Sequence, residues 1–183
     1  ILIILIQNLA IIKTFHIFHD LAENIITKYE DIDYYFALES LEHIPERIVY
    51  DLIKHISNSN FKSFFCSFPN ELGPSIFIKN FGSFLMGYKR YKEYTFGETL
   101  NALFFRTLKM PPHNTTHKGF DYRVLMHNIY QFMEIEKIRK SPYQFLPIIF
   151  SPSIFLECTP SKDKREVIYP MKRKLNANKN KKH

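Results

Sequence analysis

The stretch of sequence that decides the predicted fold is LEHIPERIVYDLIKHISNSNFKSFF, residues 41–65. Pro45 suits the start of a helix, where its missing N–H costs nothing, and Glu46 places a negative charge at the positive end of the helix dipole. The SNSN run at residues 57–60 ends the helix, because these side chains compete for backbone hydrogen bonds. The predicted helix has a buried apolar stripe of Ile48, Val49, Leu52, Ile53 and Ile56.

The sequence before this helix is also predicted to be helical, over residues 2–29. Its apolar residues recur at helical spacing, at Ile17, Phe18, Leu21, Ile25 and Ile26. Residues 1–12 are strongly apolar, but they are fewer than the roughly 20 residues that span a bilayer, so a membrane location is disfavoured. Residues 32–41 predict a short helical or irregular segment.

Two helices are predicted in the middle of the chain. The first covers residues 74–81, and its apolar side chains are expected to pack on the two preceding helices through Ile76, Phe77, Phe81, Phe84 and Leu85. The second begins at Thr95, because Glu98 stands three residues later and completes a capping box. Pro111 and the proline after it are expected to end this second helix.

A last helix is predicted from Asp121, a favourable N-cap residue, to about Lys140. Frequent prolines in residues 143–160 exclude a long helix there and allow at most two short strands or an extended segment. The sequence therefore predicts a mainly α protein, an irregular helical domain with short extended segments and a disordered basic C-terminal tail.

The formal net charge of +7 lies entirely in the C-terminal tail. Residues 161–183 contain nine Lys and Arg against two acidic residues, whereas the charges in residues 1–160 balance. This composition predicts one helical domain over residues 1–160, with any internal boundary near residues 111–119, and a disordered tail. The candidate localisation signal in the tail, which could equally be a nucleic-acid contact or a solubilising end, comprises Lys172, Arg173, Lys174, Lys181 and Lys182.

The sequence lacks the motifs of several enzyme and cofactor classes. Its five glycines form neither G-x-x-x-x-G-K nor G-x-G-x-x-G, so no phosphate-binding loop is predicted. His16 and His19 have no further ligand at the spacing of a metal site. Cys66 and Cys158 are predicted to be reduced thiols of an intracellular protein, nuclear or cytoplasmic. We therefore expect no enzymatic activity, no metal and no cofactor.

Residues 17–60 resemble the elongin-binding box of cullin ubiquitin-ligase adaptors. In that box a Leu-Cys pair and a later aliphatic residue face the groove of elongin C. Leu21 and Ile26 are similar to it in spacing, and Ala22 stands where Cys is usual. Pro45 resembles the start of the second helix, which contacts the cullin.

Two other resemblances overlap this region. Ile44 and Pro45 open a pattern that is similar to an F-box, which binds a Skp-type adaptor. Over residues 17–100 the chain resembles the helical N-terminal region of some leucine-rich-repeat proteins. This last resemblance implies a divergent relative or a fragment without independent function, and the start at Ile1 is consistent with a fragment.

Together these observations predict a non-enzymatic protein-protein interaction protein. The resemblances imply a cullin ubiquitin-ligase adaptor or substrate-receptor module whose partner is elongin or a Skp-type adaptor with a cullin. The expected mechanism is docking of a helix in a groove, where an apolar stripe fills a partner's pocket. The candidate partner-binding or packing seam consists of Leu21, Ala22, Ile26, Ile44, Pro45 and Leu52.

The alternative is a nucleic-acid-binding protein. Besides the basic tail, residues 88–94, YKRYKEY, interleave aromatic and basic side chains in the way that a stacking surface for single strands requires. Such binding would weaken steeply with added salt.

Overall fold

The described part of the chain forms one mixed sheet covered by helices. The computed structural model describes residues 2–7, 14–19, 32–87, 94–110, 113 and 119–161. Within these residues lie six strands: β1 (Leu2–Gln7), β2 (Thr14–His19), β3 (Tyr34–Leu38), β4 (Ser63–Pro69), β5 (Met133–Ser141) and β6 (Ser153–Pro160). The same residues contain four α-helices: α1 (Glu46–Asn58), α2 (Ser75–Leu85), α3 (Phe96–Leu103) and α4 (Tyr122–Phe132). The prediction of a mainly α protein is therefore wrong, and the fold is α/β.

The strand order in the sheet is β2-β1-β3-β4-β6-β5. β3 and β4 run parallel and are joined by α1, whereas the other neighbouring strands are antiparallel. Short 3-10 turns at Leu41–His43, Thr107–Lys109 and Ile148–Phe150 complete the connections. The fold-deciding stretch thus contains the helix of a β-α-β crossover, the connection that a parallel pair requires.

The described N-terminal residues are strands instead of the predicted long helix. β1 pairs antiparallel with both β2 and β3, for example Ile4 opposite Ile17 and opposite Phe36. Isoleucine is β-branched and favours strands, and the ladder to β3 satisfies the backbone of β1. The helical spacing of apolar residues was therefore misleading for residues 2–7 and 14–19.

A β-bulge explains why the last predicted helix was drawn too long. α4 begins after Asp121 as predicted, but it ends at Phe132, and β5 follows at once. The pairing of β5 with β6 shifts register between Ile135 and Lys137. This bulge spaces the apolar residues of β5 by two and then by three, and a spacing of three also occurs on a helix face.

The remaining helices were predicted more accurately, because those predictions rest on local sequence signals. α1 starts directly after Pro45 and ends at Asn58, and α2 covers the predicted segment and continues to Leu85. Thr95 and Glu98 make both hydrogen bonds of the capping box, at 3.2 and 2.8 Å. α3 is shorter than predicted, since it ends at Leu103, well before the prolines.

The core lies between one face of the sheet and the pair α1 and α4. Alternate residues of the central strands point into it, including Phe64, Cys66 and Phe68 of β4. These buried side chains of β4 thus recur with the period of two that a strand requires. The apolar stripe predicted for α1 is confirmed for Val49, Leu52, Ile53 and Ile56, which are buried.

Candidate functional site

The described residues of the predicted seam lie mainly in the core. Ile44 and Leu52 are 2% and 3% exposed and belong to the central apolar cluster, whereas Pro45 is exposed. Leu21, Ala22 and Ile26 lie outside the described residues. Of the two roles that the sequence left open for Ile44 and Leu52, the structure supports packing.

Among the described helices and strands, α2 instead has the most exposed large apolar side chains. Within this helix and the residue after it, the large apolar side chains that face outward are 42–86% exposed. They form what we call the outer α2 surface, which consists of Phe77, Ile78, Phe81, Phe84, Leu85 and Met86. Of the five α2 residues that were predicted to pack inward, only Ile76 is fully buried.

The outer α2 surface has no charged side chain. Lys79 is the single charged residue of α2, and its ammonium turns inward to the buried Glu71, with an Nζ to Oε1 distance of 2.8 Å. The Tyr94 hydroxyl, also buried, donates to the other carboxylate oxygen of Glu71 at 3.3 Å. The ion pair between Lys79 and Glu71 therefore attaches α2 to the rest of the protein.

The N-terminus of α2 is fixed by a polar turn. The buried Asn70 side chain donates to the Ile148 carbonyl at 2.9 Å and accepts from the Leu72 N–H at 2.9 Å. Ser75 Oγ donates to the Leu72 carbonyl at 2.7 Å. Since the turn is held by buried hydrogen bonds, the outer side chains of α2 are presented on an anchored helix.

α3 packs beside α2 and adds two exposed aromatic rings. The Gly73 N–H donates to the Ala102 carbonyl at 2.9 Å, and a Cβ at Gly73, whose φ is +72°, would lie 2.6 Å from the Phe105 ring. Phe96 and Phe104 are exposed on α3 and just after it. The Arg106 guanidinium lies 5.7 Å from the centre of the Phe104 ring, so a cation borders this side of the surface.

The residues proposed for nucleic-acid binding are only partly described. Tyr94 is buried and bonded to Glu71, so its ring is not a stacking surface. Residues 88–93 lie outside the described chain. The same is true of the tail from residue 162 onward, with the candidate localisation residues Lys172, Arg173, Lys174, Lys181 and Lys182.

Cys66 and Cys158 are free and buried, as the sequence predicted for reduced thiols. Burial, together with the hydrogen bond to Cys158, raises the pKa of the Cys66 thiol. A high thiol pKa disfavours the thiolate, which is the nucleophilic form. In the described residues no three His, Cys, Asp or Glu side chains are grouped to hold a metal ion.

Glu42 is a buried carboxyl group in the 3-10 turn before α1. Its pKa is raised from 4.5 to about 7, mainly by burial; a backbone hydrogen bond opposes this shift, the nearby Glu39 adds to it, and His43 and Lys79 oppose it. The folded protein therefore holds the Glu42 proton more tightly than the unfolded chain does. The contribution of Glu42 to stability is fully present below about pH 4.5 and is lost as the pH rises through about 7.

We expect this loss to be about 3 kcal/mol, and we expect Glu42→Gln to abolish it, because glutamine does not titrate. The measurement is urea unfolding of both proteins at about pH 4.5 and about pH 8. An equal pH dependence of the free energy of unfolding in the two proteins would contradict the assignment.

No helix in the described residues has the length and apolar character needed to cross a membrane. No protein-family profile matches the chain, and the curated proteins include none with significant sequence similarity to it.

Proposed function

We propose that this protein is a non-enzymatic protein-protein interaction protein that binds its partner through the outer α2 surface. The observation that carries the proposal is the set of six large apolar side chains, exposed and without charge, on one anchored helix and the residue after it. Exposed apolar patches of this kind mark interaction sites. Aromatic enrichment and depletion of charge are also the compositional signal of an interface core.

The partner that best fits this surface is an amphipathic helix whose apolar stripe is flanked by acidic residues. The stripe would pack against Phe77, Phe81 and Phe84, one helix against another. Arg106 and Lys109 are exposed beyond Phe104 and supply the complementary charge at the rim. Such rim charges favour the rate and specificity of association more than its affinity.

Elongin and Skp-type adaptors with a cullin remain candidate partners because of the resemblance of residues 17–60. Ile44 and Leu52 are buried and hence unavailable to them. An adaptor role would therefore use the outer α2 surface, or residues such as Leu21 and Ile26 that lie outside the described chain.

The test begins with a photo-crosslinking amino acid in place of Phe84 in the full-length chain. The matched control carries it in place of Phe145, which is at least as exposed but lies outside α2, in the connection between β5 and β6. The partner segment that is cross-linked from position 84 is then synthesised and titrated against the purified protein. Elongin C and a Skp-type adaptor are titrated directly in the same assay.

We expect Phe81→Asp with Leu85→Asp to weaken binding of that segment at least 30-fold, since anchors in an interface core contribute about 2 kcal/mol or more each. The stability of this variant should change little, because both side chains point into solvent. Phe145→Asp should leave the affinity unchanged. Equal affinity in all three proteins, or binding of anionic lipid vesicles in place of any polypeptide, would overturn the proposal.

A further inference from the structure

A second candidate site lies on the face of the sheet that points away from α1 and α4, which we call the second sheet face. Side chains alternate between the two faces of a strand, so Phe65 and Phe155 point to this face while their neighbours Cys66 and Leu156 are buried in the core. A cavity of about 190 Å³, open to solvent on one side, is lined by residues of β3, β4, β6 and β5 here. Since a cavity of about 150 Å³ can hold benzene, a molecule built on one aromatic ring fits in this space.

The walls of this cavity are apolar and can be reached from solvent. Leu38 at the end of β3 is 47% exposed, and Phe155 of β6 is 42% exposed. Phe65 of β4 is the third apolar wall, and its ring stacks on the ring of Phe36, with 4.9 Å between the ring centres. This stacking holds the Phe65 ring in place. The three side chains therefore form a surface on which an aromatic ring can pack.

The side of the cavity formed by β5 is positively charged. Three charged residues line the cavity: Lys137, Arg139 and Glu157. Lys137 Nζ lies 3.0 Å from Glu157 Oε2, so these two charges compensate each other. Arg139 is opposite Phe155 in the ladder, is exposed, and has no ion-pair partner among the described residues. One uncompensated positive charge thus lies beside an apolar surface.

The nature of this cation indicates the class of ligand. The planar guanidinium of arginine presents parallel N–H donors that match the two oxygens of a carboxylate. One uncompensated charge at the cavity matches a ligand with one negative charge, and the nearby Glu157 carboxylate opposes a second one. The ligand that fits both the walls and the charge is therefore an aromatic carboxylate with a single negative charge.

We propose that the cavity on the second sheet face binds a small aromatic carboxylate. Its ring packs against Leu38, Phe65 and Phe155, and its carboxylate pairs with the Arg139 guanidinium. The site includes no residue of the outer α2 surface. It therefore adds small-molecule binding to the proposed protein-binding function and does not depend on it.

The test compares two probes of nearly the same shape, para-methylbenzoate, which is an anion at neutral pH, and para-methylbenzamide, which is neutral. Each is titrated into the full-length protein while backbone amide signals are followed by NMR. We expect shifts at Phe65, Arg139 and Phe155 with both probes. The affinity should be about tenfold higher for the carboxylate, because a hydrogen bond between ionised groups is stronger than one to a neutral group. Equal affinities, or no shifts at these residues, would overturn the proposal.

Arg139→Gln tests the role of the cation. This variant removes the charge and keeps a polar side chain, so it should bind both probes with the affinity that the unchanged protein has for the amide. Lys54→Gln is the matched control, because it makes the same change in net charge at an exposed residue of α1, on the core side of the sheet. It should keep the tenfold preference for the carboxylate. A preference that survives in Arg139→Gln, or one that is lost in Lys54→Gln, would contradict the assignment of Arg139.

Phe155→Ala tests the apolar wall. It should weaken the binding of both probes by about threefold or more, because it removes part of the apolar surface that the ring covers, and it should keep the preference for the carboxylate. The matched control is Phe145→Ala, since Phe145 is also exposed but does not line the cavity. Equal affinities in these two variants would show that the ring does not pack on Phe155, and the proposed site would be wrong.

Discussion

Leu52→Ala is expected to lower the free energy of unfolding by about 2–5 kcal/mol. Leu52 is 3% exposed in the centre of α1 and packs in the cluster between α1, α4 and the sheet. Its truncation removes buried methyl groups and leaves a cavity that the surrounding strands cannot fully close. Since typical domains are stable by only 5–15 kcal/mol, this is a large share of the total. Urea unfolding measures it.

The matched control for this prediction is Lys54→Ala. Lys54 is exposed on the same helix two residues later, so its truncation should change stability by less than about 0.5 kcal/mol. The comparison also tests whether Leu52, a residue of the predicted seam, has a packing role. A Leu52→Ala protein as stable as the control would contradict a packing role for Leu52.

Each helix that was predicted correctly has its sequence signal within a few residues of its own first turn. The capping box at Thr95 and the proline before α1 both act on the first turn of their own helix, so a single sequence reveals them. The strands lacked such signals. β1 has a long apolar run that is also compatible with a helix. Only its pairing with β3 shows that the run is a strand.

The site was harder to predict than the fold, because periodicity does not report what covers a face. The apolar residues of α2 occur on nearly all sides of the helix, at Ile76, Phe77, Ile78, Phe81, Phe84 and Leu85. Such a helix is expected to be buried in a core, and the sequence alone does not separate that case from an interface. The sequence shows that Lys79 is the single charged residue of α2, but only the structure shows that its inward ion pair leaves the outer face apolar.

The same reasoning explains why Ile44 and Leu52 of the predicted seam lie in the core. Ile44 and Leu52 follow the degenerate apolar pattern shared by adaptor helices and by ordinary packed helices. In this chain the face that contains them lies against β3, β4 and α4, in the middle of a β-α-β crossover. The sequence did not reveal this, because the segment before α1 was predicted as helical or irregular and no strand was predicted after it.

Lys79→Ala is expected to destabilise the protein by about 3–5 kcal/mol. The Lys79 side chain is 12% exposed and its ammonium lies 2.8 Å from Glu71, which is 1% exposed. Removing the cation takes the ammonium contact away from the buried Glu71 carboxylate, which also accepts from the Tyr94 hydroxyl. A buried charge that loses an ionic partner is strongly unfavourable, so replacing both partners, as in Glu71→Gln with Lys79→Met, should recover much of the stability.

The control is the ion pair of similar length between Lys137 and Glu157, at 3.0 Å on the sheet surface. Its side chains are 58% and 27% exposed, so water compensates for the loss of either partner, and Lys137→Ala should cost less than about 1 kcal/mol. Urea unfolding of the single and double variants gives the coupling energy of each pair. Equal costs for Lys79→Ala and Lys137→Ala would show that burial does not strengthen the Glu71 pair. In that case α2 would be held mainly by its apolar contacts and by the turn at Asn70. The outer α2 surface would then keep its structure without the charge of Lys79.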